Sequence, residues 1–246
     1  MMGTCYPVNA MFAHGRAREH ARAVLAFVHG AEAIVDEPSC EGRRARELDR
    51  WEDDLDRAYR GHAEHPVFAA LAQAVDEHAL AFGDFAALIE ACRIDLERTR
   101  YATFDELRTY LRCAVEPLGR ILANIAGGRA AQLHACAGEL SIGLAIAQLL
   151  RDIAGDHRRG RVYVPAEDLR HFGVSPDDLA ARRSSPAVAM LVRYEISRAR
   201  TFFERARPIA DTGFAFGMAW RCGVQLLAAF DHGSARPAER ELARAS

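Results

Sequence analysis

Apolar residues recur at intervals of three and four along almost the whole chain, and no stretch shows the strict alternation of a half-buried strand. A chain patterned in this way has only helix packing available for its core. Val24, Leu25 and Val28 mark the inner face of a first helix that stops near Pro38. Leu48, Trp51, Leu55 and Tyr59 predict a second, broken at "GHAEHP". Val67, Leu71, Val75 and His78 predict a third, and Phe85, Leu88, Ile89, Cys92 and Leu96 a fourth. "TFDEL" opens the next, with Thr103 as its cap and Glu106 completing a capping box. That helix carries Leu107, Leu111, Leu118, Ile121 and Leu122, is expected to kink at Pro117, and ends at Gly127-Gly128. A long helix from about Arg129 to Asp156 follows, then a Gly160–Pro165 loop and a helix start in "VSPDDL". Two long helices, Pro186–Ile209 and Gly213–Phe230, complete the pattern.

No linker rich in Pro, Gly or Ser divides these helices, and no internal repeat is visible. Half of the 246 residues are hydrophobic, enough for a substantial core. The expectation is one all-α domain over residues 1–246, ordered from about 5 to 231, with a polar tail after His232. Helices of this length suit a bundle around a central space.

The charge balance narrows the partners. A formal net charge of −2 and a pI near 6.6 give no general attraction to nucleic acid. Every basic side chain is arginine, so phosphate contacts fall to Arg, His, backbone or metal. Six scattered cysteines form no CxxC pair, which predicts reduced, structural thiols and a cytoplasmic setting. "MMGTCYPVNAMFAHGR" lacks the basic and apolar regions of a secretory signal. The longest apolar run, around Ile142–Leu150, is too short to span a bilayer, so no transmembrane segment is expected.

Chemistry concentrates in "QLLRDIAGDHRRGRVYVP". Gln148, Asp152 and Asp156 stand at i, i+4 and i+8, so one helix face presents an amide and two carboxylates. Leu140, Leu144, Leu149 and Leu150 take the other side. Like charges so placed repel by roughly a few tenths of a kcal/mol. Either Arg151, Arg158 and Arg159 offset that as surface ion pairs, or a cation does. Mg²⁺ takes one or two carboxylates plus waters and substrate phosphates. The guanidinium forks of Arg158, Arg159 and Arg161 suit phosphate oxygens. A second acidic pair, Glu32 and Asp36 in "FVHGAEAIVDEP", has the same spacing, with Glu37 beside it and Pro38 as terminator. If the two helices face each other across a cavity, their acidic rims would together hold a small magnesium cluster.

"QLLRDIAGDHRRGRVYVPAEDLRHFGV" resembles the second aspartate-rich motif of the squalene/phytoene synthase family. "CYPVNAMFAHG" and "AVLAFVHGAEAIVDEP" are similar to the family's opening and first aspartate motif, and Asp95–Leu122 to its middle segment. "EPLGRIL" is closest to the hydroxysqualene synthase branch. The resemblance implies an isoprenoid synthase bundle around a central apolar cavity, with Mg²⁺ as cofactor and an allylic prenyl diphosphate as substrate. By the same resemblance Asp152, Asp156, Glu32 and Asp36 would bind metal. Gln148, Arg151, Arg161 and Tyr163 would meet the diphosphate, and Tyr110 would sit near the cavity wall with a catalytic role.

The departures from the family pattern shape the expected reaction. The first motif begins with Glu32 and Ala33 where two aspartates are usual, His29 stands near the place of an arginine, and Gln148 replaces an asparagine. One diphosphate grip is therefore complete and the other weakened, which disfavours joining two prenyl diphosphates. The leading expectation is a prenyltransferase that moves a prenyl group to a small, electron-rich acceptor, aromatic as in the carbazole prenyltransferases, and releases pyrophosphate. The first alternative is the hydroxysqualene type of reaction, in which presqualene diphosphate ionises and water quenches the cation. A non-catalytic relative with a decaying first motif is the second. A lipophilic product would bring the surface into loose contact with a membrane.

Several residues carry a functional and an ordinary alternative. Glu116 is either a catalytic base or an outward charge. Asp95 belongs to the family-like segment or pairs with Arg98 or Arg100. Phe202, Phe203, Phe214, Phe216, Trp220 and Phe230 line an isoprenoid pocket or pack the core. His62 and His65 ligate metal or, as expected here, interact with a helix C-terminus. "RWEDDLDR" is expected to be a solvated helix surface.

Overall fold

The computed structural model describes residues 6–12, 14–181 and 185–231. A short helix, α1 (Val8–Met11), precedes α2 (Arg16–Asp36), which ends at the expected Pro38 and passes into a 3₁₀ turn. Then come α3 (Arg44–Tyr59), α4 (Pro66–His78) and α5 (Phe82–Glu97), matching the next three apolar stripes. The helix expected to kink at Pro117 is two helices, α6 (Phe104–Ala114) and α7 (Glu116–Ile125). Val115, with φ −133° and ψ −28°, interrupts them, and Pro117 falls in the first turn of α7. Proline lacks the N–H that a helix interior needs, but a first turn leaves that donor unpaired anyway, so the chain restarts rather than bends. Thr103 caps α6 as expected, its hydroxyl accepting from Glu106 N at 3.3 Å. The returning bond of the capping box falls one residue early: Glu106 accepts from Ala102 N at 2.9 Å instead of from Thr103 N.

The chain continues as α8 (Ala131–Arg158), α9 (Ala166–Phe172), α10 (Pro176–Ala180), α11 (Pro186–Ala210) and α12 (Phe214–Asp231). α9 was not anticipated from the sequence, although Glu167 and Asp168 in its first turn and Gly173 at its end, φ +64°, are ordinary helix signals. α8 packs against α6, α7, α11 and α12 and forms the axis of the bundle. By length and composition it is apolar enough to cross a membrane, contrary to the expectation from its longest apolar run. Its most apolar window is 72% buried inside the bundle, as befits a core helix.

Among the described residues there is no strand ladder, only a parallel bridge between Arg100 and Val162. Phe27, Phe68 and Phe85 meet edge-to-face where α2, α4 and α5 converge. Phe202, Phe203 and Phe216 are buried in the same extended core. Cys40, Cys92, Cys113, Cys136 and Cys222 carry no disulfide; Cys5, the Phe214 side chain and the tail after His232 lie outside the described residues.

His65 corrects another expectation. It caps the N-terminus of α4, its Nδ1 accepting from Val67 N at 3.2 Å, and its ring packs on Trp51 and Phe68. A ring nitrogen with a free lone pair satisfies an orphan N–H at a helix start, which a C-terminus cannot offer.

Candidate active site

The loop between α8 and α9 positions the centre. Val162 N donates to Thr99 O at 2.8 Å, Ala166 N donates to Tyr101 O at 2.9 Å, and Glu167 Oε1 accepts from Phe104 N at 2.7 Å. These bonds fasten "RVYVP" along the α5–α6 connection and swing Tyr163 inward. Its ring joins those of Tyr101 and Tyr110 in a three-ring stack with centroid separations of 5.3–6.0 Å.

Asp95 lies beneath the stack. Tyr110 donates to its Oδ2 at 2.8 Å and Tyr163 to its Oδ1 at 3.0 Å. The pairing with Arg98 or Arg100 considered from sequence does not form: Arg98 bonds Glu106 at 2.5 Å. Burial raises the Asp95 carboxyl above its ordinary range, partly offset by the tyrosine hydroxyls and by Arg161. Burial likewise pushes the Tyr110 and Tyr163 phenols upward, so both remain donors.

Two adjoining clefts share Asp95. One is lined by Gln148, Asp152 and Asp156, the face proposed from the i, i+4, i+8 spacing, with Arg161, Tyr163 and Leu149, which was expected on the other side of the helix. The other is mainly apolar, lined by Val28, Leu88, Ala91, Cys92 and Ala114, with Glu32 and Tyr110 at its polar end. Burial first, then the carboxylates of Glu32, Asp95 and Asp36, pushes the Cys92 thiol up to about 12. The thiol is inert, and its neighbours mark a region of concentrated negative charge. A separate cavity of about 210 Å³ lies towards the other end of α8, lined by Leu133, Ile209 and Phe216 among others.

The acidic helices face each other through arginine. Arg161 Nη1 reaches Asp36 Oδ1 at 2.7 Å. Arg159 stands 3.9 Å from Asp36 and 3.6 Å from Asp156, touching both motifs. Gln148 donates to Asp152, and Arg151 lies 3.7 Å from it. Asp156 is 5% exposed, and burial, followed by the charge of Asp152, raises its carboxyl to about 6. A dication at this face would relieve that cost. The donor set, carboxylates and an amide oxygen, is the all-oxygen kind that Mg²⁺ takes, so the residues fit the expected metal.

Glu116 is not part of this centre. It packs against Gly138 of α8, near Arg112 and Arg120 at 3.6 Å and 3.9 Å, and lines neither cleft. Gly138 precedes Asp152 by 14 residues, about 21 Å along a helix. A catalytic role at the acidic face is out of its reach, and its half-buried place between helices also departs from a simple outward charge. None of the core phenylalanines lines the two clefts either. Arg159, whose guanidinium the sequence offers to phosphate or to a surface ion pair, bridges both acidic motifs, and of the two alternatives for Asp95 the structure supports its place in the site. The available signal for Asp95 was a carboxylate three residues after Cys92, on a helix face otherwise given to Phe85, Leu88 and Cys92.

A family model described as squalene/phytoene synthase matches residues 3–238. Phytoene synthase 3 of Zea mays is 33% identical over 190 residues, covering 75% of this chain and 45% of that protein. Phytoene synthase of Arthrospira platensis is 31% identical over 211 residues, covering 80% and 67%. This chain thus spans about half the length of the plant relatives it matches. The crystal structure of squalene synthase HpnC from Alicyclobacillus acidocaldarius superposes with a TM-score of 0.83 at 31% identity, covering 92% of this chain and 87% of that one. A dehydrosqualene synthase shares the fold, with a TM-score of 0.72 at 21% identity over 85% and 71% of the two chains.

Proposed function

The chain belongs to the squalene/phytoene synthase family, and on that premise we propose that it ionises one prenyl diphosphate at the junction marked by Asp95 and releases pyrophosphate. The observation that carries this reading is that an acidic cleft and a mainly apolar one adjoin at that single residue. A diphosphate belongs at the first; the second, a cleft of about 20 Å³, must widen to take the hydrocarbon tail.

Asp152 and Asp156, with Glu32 and Asp36 from the facing helix, would hold Mg²⁺, which when bound supplies Lewis-acid neutralisation of the leaving diphosphate. Arg161 pairs with Asp36 and Arg159 with Asp156. With the carboxylates otherwise engaged, both guanidinium groups are free to turn to phosphate oxygens. Val28, Leu88, Ala91 and Ala114 exclude water from the prenyl chain. Tyr163 and Tyr110 each line one of the two clefts, which puts aromatic rings beside the site of developing positive charge. Asp95, held by two phenols, accepts the proton lost by whatever nucleophile captures the cation.

Water is the capture partner we favour, making this a hydroxysqualene-type step on presqualene diphosphate. The weakened first motif suits a reaction with one diphosphate, and the likeness to a squalene synthase over 92% of the chain supports this ahead of the aromatic acceptor expected from sequence. Asp95 would serve equally as base for an aromatic acceptor, which keeps that transfer as the second reading. Incubation with Mg²⁺ and presqualene diphosphate should give pyrophosphate and a triterpene alcohol. Release from short allylic diphosphates only when an electron-rich aromatic is present would favour the second reading. No pyrophosphate from any of these substrates would refute both.

A further inference from the structure

Far from the acidic clefts, α2 and the end of α4 bring two imidazoles and a carboxylate together. His20 precedes Glu32 by 12 residues, about 18 Å along the same helix. Its Nδ1 lies 2.9 Å from Nε2 of His78, and the rings meet nearly edge-on at 77°. Glu77 Oε1 is 4.0 Å from His20 Nδ1, and the three ligand atoms all lie within 4.8 Å of one another. We propose that His20, Glu77 and His78 bind one zinc ion as a clip between α2 and α4, with a fourth position open to water.

The donors fit that ion. Two imidazole nitrogens and a carboxylate oxygen are a common three-ligand set for Zn²⁺ and a poor one for Mg²⁺. Tetrahedral coordination at about 2.0–2.1 Å separates two nitrogens by roughly 3.3 Å, so the rings need open by only about 0.4 Å. The ion takes both facing lone pairs, and the proton now shared between the rings is exchanged through solvent to the other nitrogen of its own ring, so both imidazoles stay neutral. His20 is 4% exposed and held by helix packing, whereas Glu77 is exposed and gives the ion access. Arg16 engages the other oxygen of Glu77 at 2.8 Å, which turns Oε1 towards the imidazoles. Burial, with His20, Arg129 and Arg16 adding to it and Glu77 opposing, lowers the pKa of His78 and favours its ligating form. The same arginines repel a dication and hold the affinity below that of a closed four-ligand site.

The test is calorimetric titration of the metal-stripped full chain with Zn²⁺ in excess Mg²⁺, which occupies any oxygen-only site. One equivalent should bind, Co²⁺ should give the intense visible bands of a four-coordinate site, and thermal stability should rise. His78→Gln and Glu77→Gln should each weaken binding at least about tenfold, while Asp152→Asn should leave it intact. Glu77→Gln sits on the surface, so its effect is readable even if a histidine variant folds poorly. Absence of binding, equal titration of wild type and both variants, or binding lost to Mg²⁺ and to Asp152→Asn would each overturn the proposal. In the last case the zinc would belong to the acidic face.

Discussion

Asp156 is buried on α8 with Asp152 one turn away, and both circumstances favour its neutral form. The folded carboxyl titrates at about 6 instead of 3.8, so the folded state holds its proton more tightly than the unfolded chain. Stability from this group is therefore complete below pH 3.8 and lost as pH rises through 6. At about 1.4 kcal/mol per pH unit of displacement, the loss reaches on the order of 2–3 kcal/mol at neutral pH. Asp156→Asn should stabilise the metal-free protein there, measured by denaturant unfolding, while abolishing its response to Mg²⁺. If the variant is less stable at neutral pH, the carboxylate is better compensated than its surroundings imply. At Asp95 the expected loss is catalytic. Asp95→Asn should lower kcat by about 10²–10⁴ with little change in KM, and Tyr163→Phe by less, because Tyr110 still anchors the carboxylate. Steady-state kinetics checks both. Asp152 and Asp156 were legible as a pair because helical spacing alone puts them on one face. Asp95 was not, because both of its partners are distant in the chain: one lies 15 residues away and the other 68.

Helix pairing around α8 depends on close approach at small residues. A Cβ on Gly119 of α7 would lie 2.7 Å from the Ala137 carbonyl oxygen of α8 and against the Ser141 hydroxyl. Backbone cannot retreat as a side chain can, so Gly119→Ala should cost about 1–3 kcal/mol. Thermal denaturation should then show a fall of several degrees, and an unchanged midpoint would mean that the two helices separate freely. The glycine was visible in "EPLGRIL", but its contact was not. Periodicity located α2 to α5, α8, α11 and α12 because each carries a continuous apolar stripe. It missed α9, whose seven residues are too few to display a period. It also fused α6 with α7, since their stripes run on in phase across Val115.

Across the molecule, a buried charge cluster locks the α8–α9 loop region to the bundle. Arg198 of α11 bonds Asp168 of α9 at 2.8 Å and Glu195 at 2.7 Å, and its guanidinium lies 4.0 Å above the Phe104 ring of α6. Arg198→Ala leaves two buried carboxylates unpaired, which should cost about 3–5 kcal/mol at neutral pH. Burial, together with the charge of Asp168, raises the Glu195 carboxyl despite Arg198, so the deficit should shrink as pH falls and that group protonates. Unfolding of variant and wild type near pH 5 and pH 8 measures the difference; a deficit independent of pH would assign the loss to packing on Phe104. The sequence by itself determined the long helices and the acidic face of α8, because both are properties of residues within one or two turns of each other. Only the tertiary structure decided that Asp36 meets Arg161, that Asp95 joins the two clefts, that Glu116 stands apart and that His20 reaches His78. Those meetings depend on how many apolar stripes bury one another at once, a global balance in which no single segment carries the answer.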